Sequence, residues 1–142
     1  MALRIYNAVV DAGCDAMVDT LEDGAGAGKV QIYTGSQPAL NGALSGTLLA
    51  EFTMSNPAFG DGTAAGSGSV ATAASMPKTD AAAAATGTAG YGAAVDSDDV
   101  VKWTGTVTIT GGGGDFTIDN LSITSGQEVQ LTSWTFTLPQ GS

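Results

Sequence analysis

The spacing of apolar residues changes once along the chain, at the glycine-rich segment 24–28, and this change restricts the fold more than any other feature. Before the segment, apolar residues recur every three or four positions. After it, they alternate with polar residues in short runs. The first spacing is typical of one face of an α-helix, and the second of strands with one buried face. The sequence therefore predicts a mainly β domain, residues 1–142, with one N-terminal helix.

The N-terminal segment predicts an amphipathic helix over residues 3–23. On a helical wheel, its apolar side chains share one face and four acidic side chains share another. Three glycines follow and end the helix, since glycine favours helix C-termini. The apolar face comprises Leu3, Tyr6, Val10, Cys14, Met17 and Leu21, and the acidic face comprises Asp11, Asp15, Asp19 and Glu22.

The body of the domain, residues 29–139, predicts seven strands separated by turns. Alanine is absent from residue 101 onward, where nine threonines favour strands. The frequent turns indicate an antiparallel β-sandwich, jelly-roll-like, or a barrel-like pair of sheets. The predicted strands are 29–34, 47–55, 69–76, 86–95, 100–110, 116–124 and 128–139.

Two of the predicted strands change phase midway, near Asp119-Asn120 and near Thr132-Ser133. A change of one residue in the alternation is typical of a β-bulge, and a crossover between sheets is the alternative. Residues 56–68 are predicted as loop, and residues 96–99 as the connection of a hairpin.

Charge and composition limit the classes of partner. A net charge of −10 argues against nucleic acid and anionic membranes, which bind basic surfaces. Leu, Ile, Val and Phe number only 28, so we expect a thin core and self-association into a homo-oligomer. A single cysteine excludes an intrachain disulfide, and neither a membrane span nor a signal peptide is predicted.

The residues that carry common catalytic chemistry are missing or badly spaced. The absence of histidine removes Ser-His-Asp and Cys-His catalysis and most zinc sites. The segment 24–29 lacks the spacing of a phosphate-binding loop, and Asp96, Asp98 and Asp99 lack the glycine and glutamate of an EF-hand. Cys14, on the apolar face, is predicted to be a small buried hydrophobe. We expect no enzyme activity, no cofactor and no metal.

Two groups of side chains have both a structural and a functional interpretation. The acidic face is either a solvated surface or a docking surface for a basic partner. The aromatic residues Trp103, Trp134, Tyr33 and Tyr91 are either core residues or a platform for stacking sugars. The alternation around both tryptophans favours the core.

Several short motifs are spread over most of the chain: 29–38 (KVQIYTGSQP), 46–52 (GTLLAEF), 57–60 (PAFG), 122–129 (SITSGQEV), 131–133 (LTS) and 135–141 (TFTLPQG). In this order they resemble a family of small proteins of tailed bacteriophages and prophages, some of which look like capsid decoration (cement) proteins. The match is weakest in the Ala/Gly-rich middle of the chain.

This resemblance implies a virion structural protein, made in the cytoplasm of a bacterial host, that lies on the capsid surface. It would bind the major capsid protein lattice and itself, for example as a trimer. The acidic residues Asp11, Asp15, Asp19 and Glu22 are the candidate contact. The alternative is a glycan- or host-surface-binding module on the head or tail.

Overall fold

The computed structural model describes residues 3–66 and 68–140. In this part of the chain, one α-helix, α1 (Asn7–Asp19), continues into a 3₁₀ turn (Thr20–Glu22) and precedes eleven strands. The prediction of a mainly β fold with one N-terminal helix is confirmed. The strands are β1 (Lys29–Tyr33), β2 (Leu48–Thr53), β3 (Thr63–Ala65), β4 (Gly68–Thr72), β5 (Lys78–Asp80), β6 (Gly87–Thr88), β7 (Tyr91–Val95), β8 (Val101–Ile109), β9 (Phe116–Ile118), β10 (Ser122–Ile123) and β11 (Val129–Pro139).

The helix begins at Asn7 and not at Leu3, so the predicted N-terminal boundary is wrong. Tyr6 has extended backbone angles, and the Gln140 side chain donates hydrogen bonds to the Ile5 carbonyl and to Asn7 Oδ1. These contacts hold the first residues against the end of β11. The side chains of Leu3 and Tyr6 consequently remain 67% and 83% exposed.

The buried face of α1 is also rotated relative to the predicted apolar face. Val10, Cys14, Val18 and Leu21 are buried, whereas Met17 is 44% exposed. The helix packs on β4 and β11 through this buried set. Asp11 and Asp15 lie at the border of this contact, where they reach Ser69 of β4 and Gly62 before β3.

The strands form one mixed nine-stranded sheet and a separate pair, β6 with β10. The main order is β2-β1-β7-β8-β9-β11-β4-β3, and β5 also pairs with β11. The sheet curves back on itself, because β5 lies against β2. The Glu51 N–H donates to the Asp80 carboxylate at 3.0 Å, and the Ala84 N–H donates to the Leu49 carbonyl at 2.8 Å. The core lies inside this curve.

The pairing of β8 with β9 is parallel, whereas the other strand pairs in the described part of the chain are antiparallel, so the sheet is predominantly antiparallel. The loop between them returns the chain to the start of β9 beside Val107. Gly111 and Gly113 have φ values of +86° and +83°, a conformation that glycine adopts without strain. The Gly114 N–H also donates to Thr108 Oγ1 at 3.0 Å, which fixes the return.

The two predicted phase changes have different structural origins. The register of β11 against β9 shifts between Leu131 and Ser133, which confirms the bulge near Thr132-Ser133. At Asp119-Asn120 the chain leaves the main sheet instead, and β10 pairs with β6. The crossover is therefore the correct alternative at that second position.

Other predicted boundaries need smaller corrections. The predicted loop 56–68 contains β3, which pairs with β4. The predicted strand 86–95 is divided into β6 and β7, and the predicted strand 69–76 ends at residue 72. Residues 96–99 connect β7 to β8 as an antiparallel hairpin, as predicted.

Four aromatic rings pack against one another, three of them buried in the core and one at its edge. The Trp134 side chain is fully buried, with ring centroids 4.5 Å from Phe59 and 5.2 Å from Phe116. The Trp103 ring lies 5.7 Å from Trp134 and is only partly buried. The prediction that Trp134 is a core residue is confirmed, and Trp103 lies where the core meets solvent.

Candidate functional site

Three of the four acidic residues predicted to bind a partner accept hydrogen bonds within the chain. Asp11 accepts from the Ser69 hydroxyl, Asp15 from the Gly62 N–H, and Glu22 from the Ala58 N–H at 2.9 Å. These bonds hold the helical segment 7–22 to residues 58–69. Asp19 is exposed. The binding of a basic partner by this face stays a prediction.

The Glu22 carboxylate is ionised less readily than an ordinary glutamate. Burial raises its pKa, and the negative charges of Asp19 and Asp23 add to that rise. The hydrogen bond from Ala58 lowers the pKa but does not offset these effects. Ionisation of Glu22 therefore costs more free energy in the folded chain than in the unfolded chain.

The single cysteine is buried in the contact between α1 and β4. Cys14 is 0% exposed, and its thiol lies 3.8 Å from the Ser69 carbonyl oxygen. Burial raises the pKa of the Cys14 thiol, and the neighbouring Asp15 and Asp11 charges raise it further. A thiol in this state is a poor nucleophile. The prediction of a small buried hydrophobe is confirmed.

The acidic sequence 96–99 forms the tip of the β7–β8 hairpin. Asp96 Oδ1 accepts hydrogen bonds from the Asp98 and Val100 N–H groups, and Asp96 Oδ2 lies 3.3 Å from Lys102 Nζ. Burial by itself raises the pKa of this carboxyl, but the two N–H groups and Lys102 together lower it below its usual value. The hairpin-turn interpretation is confirmed. Residues 3–66 and 68–140 hold no group of three or more His, Cys, Asp or Glu side chains that could bind a metal ion.

The three lysines of the chain already have partners within the chain. Lys29 Nζ lies 2.5 Å from Asp99 Oδ1, and Lys102 Nζ lies 2.9 Å from Asp23 Oδ2. The third, Lys78, donates to the Ser55 hydroxyl at 2.9 Å. The lysine side chains are therefore held by internal contacts, while carboxylates remain at the surface.

β8 and β11 both continue beyond the short strand β9, and we call the gap between them the seam. β9 fills the space between the two strands only opposite residues 107–109 and 131–134. The seam lies between residues 101–105 of β8 and residues 135–139 of β11. In the described part of the chain, neither segment pairs with another strand on the side that faces the seam.

Asp115 closes one end of the seam. Its carboxylate accepts a hydrogen bond from the Thr106 N–H at 3.0 Å, and its carbonyl accepts one from the Thr135 N–H at 3.2 Å. Both N–H groups thus point into the gap. Because this direction alternates along a strand, the main-chain groups of Thr104 and Thr137 point into it as well. The seam exposes two unpaired strand edges that face each other.

Apolar side chains line the seam on the α1 side. The Trp103 and Phe136 ring centroids are 4.8 Å apart, and a groove of about 400 Å³ separates them from α1. Val101 and Met17 at this groove are 41% and 44% exposed. Leu40, in a loop beside β8, is 94% exposed at the rim of a second groove.

The apolar spacing and motifs of the sequence did not predict the seam. The one signal for it is the apolar pair Val100-Val101 directly after the hairpin tip, where neither side chain is buried. Alternation alone does not show which strand edges are left without a neighbour.

The comparisons with known proteins give no relative. No family model matches the chain, and no curated protein and no solved structure matches it. Within the described ranges, no helix has the length and apolar character that a membrane span requires.

Proposed function

We propose that this chain is a bacteriophage virion structural protein that decorates and stabilises the capsid shell by binding the major capsid protein lattice. The seam is the observation that carries the proposal. It combines unpaired strand edges with exposed apolar side chains, and such a surface gains free energy when a partner covers it. The resemblance of the sequence motifs to phage proteins supports the choice of partner.

The distribution of charge favours a basic contact on the shell. The chain has 14 acidic and four basic residues, and its lysines contact its own acids and a hydroxyl. Complementary charge increases the rate of association, and salt weakens this effect. Binding that favours the assembled shell over free capsid subunits stabilises the shell by mass action.

The test compares particles that contain the protein with particles that lack it. Genome release on heating is measured by the fluorescence of a DNA-binding dye. We expect release at a lower temperature from the particles that lack the protein, and recovery when purified protein is added. Equal heat stability of both kinds of particle would contradict the proposal.

A glycan-binding module on the virion is the second candidate, and the surroundings of Trp103 favour it. A groove of about 230 Å³ is lined by Trp103, Phe136 and the polar side chains of Thr104 and Asp115. Aromatic rings beside hydroxyl and carboxylate groups are suited to sugars. Copy number separates the two candidates, because a shell-cementing protein is present in many copies and an appendage in few.

A further inference from the structure

We infer that the seam between β8 and β11 accepts an extended, basic segment of a partner protein as an added strand. The geometry of the gap is the first argument. β9 occupies the same gap further along β8 and β11, so the two strands stand one strand apart where the seam begins. Neighbouring strands lie about 4.8 Å apart. A strand of about five residues inserted in line with β9 would pair with both edges.

The main-chain groups that would hold such a strand are in place. Thr106 and Thr135 point their N–H groups into the gap, where Asp115 accepts a hydrogen bond from each of them. Further along, Thr104 and Thr137 present the same kind of donor and acceptor, and no strand among the described residues pairs with them on this side. Hydrogen bonds to two edges at once would give the inserted segment more pairing than an ordinary edge strand obtains.

The side chains around the seam indicate the chemistry of the inserted strand. Successive side chains of a strand point to opposite faces of a sheet. On one face they would meet Trp103, Phe136 and Met17, which favour apolar residues. On the other face they would meet threonines and the Asp115 carboxylate. An alternation of apolar residues with Lys or Arg satisfies both faces.

Charge makes a second copy of this chain a poor occupant. Each copy has a net charge of −10, and its lysines are already held by internal partners. Two copies would repel each other at the seam, whereas a basic segment would be attracted. That the segment belongs to the shell protein rests on the proposed function, but the preference for a basic strand does not.

The first experiment uses a synthetic hexapeptide that alternates lysine and valine. We expect it to bind the full chain and to slow amide hydrogen exchange at Thr104 and Thr137. A control peptide has the same side chains but N-methyl groups on alternate amides, so it keeps the charge and cannot pair on both edges. It should bind about tenfold more weakly. Equal binding of both peptides, or no protection at these two amides, would overturn the inference.

The second experiment uses the variant Thr104→Pro, which removes an N–H that faces the seam and not β7. It should bind the lysine–valine peptide about tenfold more weakly than the wild type. Ala64→Pro, at an exposed position of the outer strand β3 where the N–H points away from β4, is the matched control and should bind normally. Circular dichroism establishes that both variants fold. If Thr104→Pro does not fold, amide hydrogen exchange of the wild type with the lysine–valine peptide tests the inference.

Binding of the wild type and Thr104→Pro to shells separates this inference from the proposed function. If the wild type decorates shells but the peptide does not slow amide exchange at Thr104 and Thr137, the proposed function stands and the inference is overturned. If the peptide slows exchange at these amides but the wild type does not decorate shells, the inference stands and the proposed function is overturned.

Discussion

The Ser69 hydroxyl donates a hydrogen bond of 2.6 Å to the carboxylate of Asp11 and joins α1 to β4 across 58 residues of sequence. Asp15, one turn later on the helix, accepts from the Gly62 N–H. Two carboxylates on one side of α1 therefore act as acceptors for residues on either side of β3. Their first role in the fold is to hold the helix on the sheet.

Removal of the Asp15 acceptor should destabilise the domain. Asp15→Ala leaves the part-buried Gly62 N–H without its partner, which costs about 1–3 kcal/mol. The free energy of unfolding in urea measures the loss. Asp19→Ala removes the same charge at an exposed position of the same helix and should change stability by less than about 0.5 kcal/mol. Equal effects of the two variants would contradict a structural role for Asp15.

Cys14 should not react with thiol reagents in the folded protein. Its side chain is fully buried and burial raises its pKa, so labelling requires unfolding. Reaction with Ellman's reagent should follow the fraction unfolded across a urea titration. Ala16→Cys in a Cys14→Ala background places a thiol at an exposed position of α1 and should react at once. Rapid reaction of Cys14 without urea would contradict the packing described.

The lowered pKa of Asp96 should make the domain less stable in acid. A carboxyl whose folded pKa lies below its unfolded value of about 3.9 stabilises the fold above that pH. The contribution is lost as the pH falls through the folded pKa. Asp96→Asn should therefore be less stable than the wild type at pH 7, and the difference should narrow below about pH 4. Urea denaturation from pH 3 to pH 7 measures the difference in free energy of unfolding between the two proteins. A difference that stays constant over this pH range would contradict the prediction.

The raised pKa of Glu22 has the opposite effect on the pH dependence of stability. Its contribution is present below the unfolded pKa of about 4.3 and is lost as the pH rises through the higher folded pKa. Glu22→Gln keeps an acceptor for the Ala58 N–H and should be more stable than the wild type at pH 7, by under about 1 kcal/mol. Glu128→Gln, at an exposed position, corrects for the change in net charge. If Glu22→Gln is less stable than the wild type at pH 7, burial of the Glu22 charge is not the main effect of this side chain on stability.

Gly92 should not tolerate a side chain. A Cβ at this position would lie 2.6 Å from Phe116 Cδ2, and the Phe116 ring is fully buried among other rings. Gly92→Ala should lower the free energy of unfolding by about 1–3 kcal/mol. Gly60→Ala is the matched control, since no heavy atom lies within 4 Å of its Cβ position. Similar stability of the two variants would contradict the close approach of β7 to Phe116.

Local sequence patterns determined the elements of the fold. The helical period before residue 24 and the alternation after residue 29 are properties of neighbouring residues. They therefore predicted one helix and a β-rich body without knowledge of the tertiary structure. The hairpin at residues 96–99 and the bulge near Thr132-Ser133 were also predictable, because turn residues and a change of phase act within a few positions.

Tertiary contacts decided how these elements are arranged. The acidic face was visible on the helical wheel, but the inward direction of Asp11 and Asp15 depends on Ser69 and Gly62, which follow some fifty residues later. The rotation of α1 is fixed by the sheet surface it covers, and the wheel carries no information about that surface.

The seam depends on tertiary structure most of all. It exists because the loop 110–115 returns the chain parallel to β8, while β9 is only three residues long. Alternation along β8 and β11 predicts that each is a strand, but not which strand lies beside it. The pairing partner of a strand edge is set by the path of the whole chain, and only the folded structure shows an edge that has none.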